Sequence, residues 1–201
     1  MNYGLSVTPT ANDTECLVIG LFSDNNLSDS SALLDQEHHV LIKRLANKLT
    51  ENGDSAWQTD FNGRCVLVMH CGNKANYTAD ILSKRMADIT GMLIKQHLSS
   101  ATICMPQLAQ HTPDWQVQQM LLHCEAQRYQ LLDFKSKKNK PCSLECLHFF
   151  LPNATDSALK SAQAIAHGVQ FARTLANYPA NVCTPLTSLK KPLSYLMHTQ
   201  N

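Results

Sequence analysis

At 201 residues, with 44% apolar and 16% charged side chains, the chain is long enough to bury a substantial core and has the composition of an ordinary globular protein. Its 17 basic and 16 acidic residues leave a formal charge of +1, so no overall field draws it to nucleic acid or to anionic lipid. No apolar run approaches the ~20 residues of a membrane span, and Met1 to Gly20 holds neither a secretory nor an arginine-rich leader; the expectation is a cytoplasmic protein with no membrane contact.

From the start of the chain, strands and helices alternate. Tyr3 to Thr8 alternates weakly, and Glu15 to Phe22 (ECLVIGLF) is a short continuous apolar run of the kind buried on both faces of a sheet. Ser23 to Ser31 is a polar connector in which Asp, Asn and Ser supply turn chemistry. Leu34, Leu41, Leu45 and Leu49 mark one face of a helix over Ala32 to Thr50, closed by Asn52-Gly53 as a left-handed cap. Ala56 to Phe61 reads as a short strand, and Asn62-Gly63 as a hairpin turn into Arg64 to His70 (RCVLVMH), which makes those two antiparallel neighbours.

Thr78 caps a helix running to Leu98, with Leu82, Met86, Ile89 and Leu93 at helical spacing, and Ala101 to Pro106 is the strand after it. A crossover of that length joins parallel strands. Thr112-Pro113 is a cap followed by proline at the first helical position, and Val117, Leu121, Cys124 and Leu131 supply the buried stripe. Leu144 to Leu151 (LECLHFFL) is the final strand. Four strong strands alternating with helices predict a three-layer α/β domain around a mostly parallel sheet, each of the four buried on both faces.

The chemistry-bearing residues are scattered. Eight cysteines without a C-x-x-C spacing read as reduced thiols. Cys142, Cys146 and His148 are zinc-type donors, yet strand alternation sets Cys146 and His148 on one face with Leu144 and Phe150, and no fourth ligand is evident. Glu37-His38-His39 lacks the i, i+4 pairing of a helical zinc site and reads as a solvated first turn. Ser23-Asp24 and His70-Cys71-Gly72 each follow a strand, where α/β sites form, but neither has a base or orienting partner visible in sequence. Lys135, Lys137, Lys138 and Lys140 read as a solvated loop in preference to a phosphate-contacting patch. The seven glycines are widely spaced and form no phosphate cradle.

Past the last strand, Ala158, Ala162, Ile165, Val169, Ala172 and Ala176 lay small apolar side chains along one stripe of a long helix. Pro179 cannot continue that helix, and Thr184-Pro185 closes an extended connector. Pattern alone leaves open whether the helix bridges to a second domain or packs back on its own. The run GVQFARTLANYPANVCTP resembles the linker of the M17 leucyl aminopeptidases (cytosol aminopeptidases), roughly G-V-x-L-A-R-x-L-x-N-x-P-x-N-x-x-T-P. Gly168, Val169, Ala172, Arg173, Leu175, Asn177, Pro179, Asn181, Thr184 and Pro185 all match it. YQLLDFKSKK (Tyr129 to Lys138) resembles the run before the last strand of the family's N-terminal domain, and LVIGLF (Leu17 to Phe22) its early strand.

The resemblance covers Met1 to Pro185 and implies a macro-domain-like fold followed by a linker helix. It divides the chain into an N-terminal α/β domain over 1–152, linker helix and connector over 153–185, and a divergent tail over 186–201. At Leu186 the sequence leaves the family pattern, and Pro192 argues against a helix in the tail; a truncated or frame-shifted copy is the expectation. In the family, two divalent metal ions, manganese or zinc, sit in the C-terminal domain and drive removal of N-terminal residues such as leucine from peptides. The expectation for this chain is a non-catalytic N-terminal domain with no catalytic, cofactor-binding or metal-binding residue of its own, assembling as a homo-oligomer. A stand-alone nucleotide or ADP-ribose-like binding module and a nucleic-acid contact domain remain the alternatives, the latter unsupported by charge.

Overall fold

The computed structural model describes residues 1–11, 13–23, 36–52, 55–59, 63–131 and 142–184. Leu34, Gly53, Asn62, the lysine run and the tail from Pro185 lie outside the described residues, as do the side chains of Glu37, His38 and His39. The elements are β1 (Asn2–Leu5), β2 (Cys16–Leu21), α1 (Gln36–Asn52), β3 (Ser55–Thr59), β4 (Cys65–His70), α2 (Ala79–Lys95), β5 (Ser100–Cys104), α3 (Pro113–Arg128), β6 (Cys146–Phe150) and α4 (Asp156–Asn177).

One sheet of order β1-β6-β5-β2-β4-β3 holds all six strands. Every pairing is parallel except β3 with β4, the antiparallel hairpin expected from the sequence. Its connection is longer than a two-residue turn, because Thr59 pairs with Cys65, and Gly63 takes the left-handed φ of 80° that only glycine adopts without cost.

β2 explains why the sheet has helices on both sides. All six of its residues are buried, and alternation sends them to opposite faces. Val18, beside Leu67 and Ile103, joins Phe149 in the cluster covered by α2, α3 and α4. Leu17 and Ile19, beside Val66 and Val68, face Leu41, Ile42, Leu45 and Leu49 of α1. The three-layer α/β reading holds.

Some expectations are corrected. β6 is only partly buried on its second face: Leu147 and Phe149 are covered on one side and Phe150 on the other, but Cys146 and His148 beside it are half-buried, since α1 packs mainly on β3 and β4. Thr78 occupies the N-cap of α2 without donating or accepting a side-chain cap bond, whereas Thr112 caps α3 as expected by accepting from Trp115 N at 3.2 Å. Leu131 falls beyond the end of α3. The apolar stripe of α4 splits: Ala158 and Ala162 are buried together with Ala166, while Ile165 and Val169 stand 49% and 47% exposed.

α4 packs along α3, and polar groups fix the contact at three levels. At the start, Asp114 of α3 accepts from Thr155 N at 2.7 Å and Thr155 Oγ1 at 3.1 Å, while Thr155 Oγ1 caps Ala158 N. Midway, buried Glu125 of α3 accepts from Tyr3 Oη at 2.5 Å, from Arg128 Nη1 at 2.9 Å and from Gln170 Nε2, joining β1, α3 and α4. Burial first, then the Cys124 and Glu125 environment, holds the Tyr3 hydroxyl far above the usual phenol range, so it remains a donor. At the end, Arg173 lies 4.5 Å over the Tyr129 ring, and Asn177 Nδ2 donates to Tyr129 Oη at 3.2 Å.

Candidate functional site

In open α/β sheets, ligands sit at the carboxyl ends of strands where successive crossovers leave to opposite sides. Here the chain passes from β2 to β4 by way of α1 on one face and from β5 to β6 by way of α3 on the other. The switch point therefore falls between β2 and β5. A crevice of about 110 Å³ lies there, lined by Phe22 after β2, Lys74 and Tyr77 after β4, and Gln107, Leu108 and His111 after β5.

Its walls are rigid. Phe22 and Tyr77 meet edge to face with centroids 5.3 Å apart, and burial holds the Tyr77 hydroxyl far above its ordinary range. Fully buried Gln116 accepts from Leu108 N and donates to Pro106 O, both at 2.8 Å, which pins the loop from β5 to α3. His111 stacks on Trp115 at 3.8 Å.

Beside the crevice the structure joins two segments that the sequence left apart. His70 Nε2 lies 3.0 Å from Ser23 Oγ, and Ser23 N donates to Gly72 O at 2.9 Å. Asp24 is outside the described residues. Among the described residues no carboxylate is placed on His70, and what is seen is a hydroxyl–imidazole contact. Buried Cys71 is pushed up to about 12 by burial, which makes it a packing residue and not a nucleophile.

The zinc-type trio is separated. Cys146 Sγ lies 3.8 Å from His148 Nδ1 on the half-covered sheet face, whereas Cys142 lies against Arg128. Among the described residues no three His, Cys, Asp or Glu side chains converge as a metal site. A second hollow, of about 410 Å³, opens beyond β1 and β6 and is lined by Ser6, Asn153 and Asp156 among others. Among the described residues Asp156 is its one charged liner. The first crevice is well below the roughly 300–1,000 Å³ of small-molecule pockets, and the second lies within that range.

Gln116 and Glu125 escaped the sequence reading. Glu125 with Arg128 shows the i, i+3 charge spacing of an exposed helix face, and nothing local reveals that Tyr3 and Gln170 enclose it.

These features define an α/β domain whose sheet, covered on one face by three helices, lacks a recognisable reaction centre among its described residues. The family model described as the N-terminal domain of the cytosol aminopeptidase family matches residues 18–138, and the chain belongs to that family. It is 49% identical over 185 residues to a probable cytosol aminopeptidase of Legionella pneumophila (strain Paris), covering 92% of this chain and 38% of that one. A probable cytosol aminopeptidase of Haemophilus ducreyi is 29% identical over 188 residues, covering 86% of this chain and 37% of its own. Among solved structures, a tomato leucine aminopeptidase mutant superposes with a TM-score of 0.71 at 16% identity, over 93% of this chain and 40% of that one. A bottromycin maturation enzyme in complex with manganese gives 0.64 at 15%, over 92% and 36%. The chain thus spans 38% of the length of its Legionella relative.

Proposed function

We propose that this chain is a non-catalytic N-terminal domain of a leucyl aminopeptidase, the part that presents a linker helix to a metal-dependent peptidase domain in the cytoplasm. The observation that carries this reading is the 49% identity to a probable cytosol aminopeptidase of which the chain covers only 38%, together with the match to the family's N-terminal domain. In this reading the α/β domain runs to residue 152, and the helix and connector run from there to 185. On this reading the metal-assisted polarisation of a peptide carbonyl belongs to another part of a full-length enzyme. Peptides are then substrates of the whole enzyme, and the chain contributes structure.

A chimera tests it. This chain replaces the matching N-terminal region of the Legionella relative, and leucyl amide hydrolysis is measured. A folded chimera with metal-dependent turnover is expected. A folded but inactive chimera, in which this chain leaves the peptidase domain unassembled, overturns the reading.

A further inference from the structure

Cys16 opens β2 and Cys65 opens β4, and the parallel register pairs the two residues directly. Paired residues on neighbouring strands have Cα atoms roughly 4.8 Å apart, inside the roughly 4.4–6.8 Å that a disulfide spans. Both side chains leave the sheet on the same face: Cys16 belongs to the cluster beneath α2, α3 and α4, and Cys65 packs against it. Of the groups around it, Cys65 is the one that raises the Cys16 thiol most.

Their exposure differs in a useful way. Cys16 is fully buried and Cys65 half-buried, so Cys65 is the more accessible of the two. The other strand cysteines have no such partner, since Cys104 pairs with Ile19 and Phe150, and Cys146 with Asn2 and Ser100. The neighbouring Cys65, then burial, push the Cys16 thiol upward, and Cys65, the more exposed of the two, is the attacking sulfur. Arg64, next in sequence to Cys65, sets a positive charge near the pair.

We propose that Cys16 and Cys65 are a redox pair that hydroperoxides oxidise to an intramolecular disulfide and that small dithiols reduce again. The Cys65 thiolate attacks a peroxide oxygen, the O–O bond breaks, and a sulfenic acid forms with release of hydroxide or alkoxide. Cys16 then attacks the sulfenic sulfur, the S–S bond forms, and the departing hydroxide takes the Cys16 proton as water. Two thiols supply the two electrons that reduce one peroxide. The bridge staples the amino ends of β2 and β4 and closes the chain segment carrying α1 and β3, a long loop whose closure restricts the unfolded chain.

The test treats the purified native chain with an equimolar dose of hydrogen peroxide, alkylates remaining thiols and maps the peptides by mass spectrometry. A cross-linked peptide joining Cys16 to Cys65 is expected, with two fewer alkylated thiols per chain and full recovery after dithiothreitol. Cys65→Ser retains its remaining thiols at the same dose, and Cys16→Ala leaves a sulfenic acid at Cys65 that dimedone traps. The idea fails if Cys16 and Cys65 of the unaltered chain stay alkylatable while other thiols are consumed, or if the cross-link joins other cysteines. Because the cross-link is mapped on the unaltered chain, the outcome does not depend on whether either variant folds.

Discussion

A methyl group on Gly20 would lie 2.6 Å from Pro106 Cδ and 2.9 Å from Cys71 Sγ, between groups held by the sheet and by a proline ring. Gly20→Ala therefore overpacks the core, and a loss of about 1–3 kcal/mol in a denaturant titration is expected. An unchanged midpoint would show that the strands shift aside freely. His148 and His123 are both held below the ordinary imidazole range by burial. The unfolded chain then binds protons near pH 6.5 while the fold resists them, so these groups leave stability unchanged above about pH 7 and reduce it as pH falls through 6.5. The melting temperature is expected to drop between pH 7.5 and 5.5, and less steeply in His148→Gln. An equal drop in both proteins would remove His148 from the account. At this scale local chemistry was legible where it acts locally: Thr112-Pro113 starts α3 as read. It was silent where partners come from afar, as with Glu125, whose acceptor sites are filled by Tyr3 and Gln170 from other elements.

Among the elements, β2, β4 and β5 were readable because burial on both faces leaves continuous apolar runs, and their register places Val18, Leu67 and Ile103 on one face. Ile103→Asp puts an unpaired charge at a fully buried position, and loss of cooperative unfolding is expected by circular dichroism; a soluble variant with a sharp melt would contradict the core described. The exposed half of the α4 stripe was not readable, since periodicity shows that apolar positions align but not which neighbour covers them. What decides it is the seam of Ala158, Ala162 and Ala166 against α3, held at its start by Thr155. Thr155→Ala removes the cap on Ala158 N and the Oγ1 contacts with Asp114 and Ser157, and a loss of about 1–2 kcal/mol is expected, read in the same titration.

For the molecule as a whole, the outward Ile165 and Val169 of α4 leave an apolar surface that we propose drives self-association of the isolated chain. Sedimentation velocity is expected to show concentration-dependent dimers or larger species, reduced by Ile165→Lys; a monomer at every concentration would contradict it. We propose that the chain is the structural part of a larger peptidase. On that reading the metal ligands that polarise the scissile carbonyl belong to another part of the full-length enzyme. The direct measurement is release of leucine from a leucyl amide by the purified chain with added manganese or zinc. No turnover above the uncatalysed rate is the result expected, and turnover that survives re-purification and is abolished by a chelator would contradict the account.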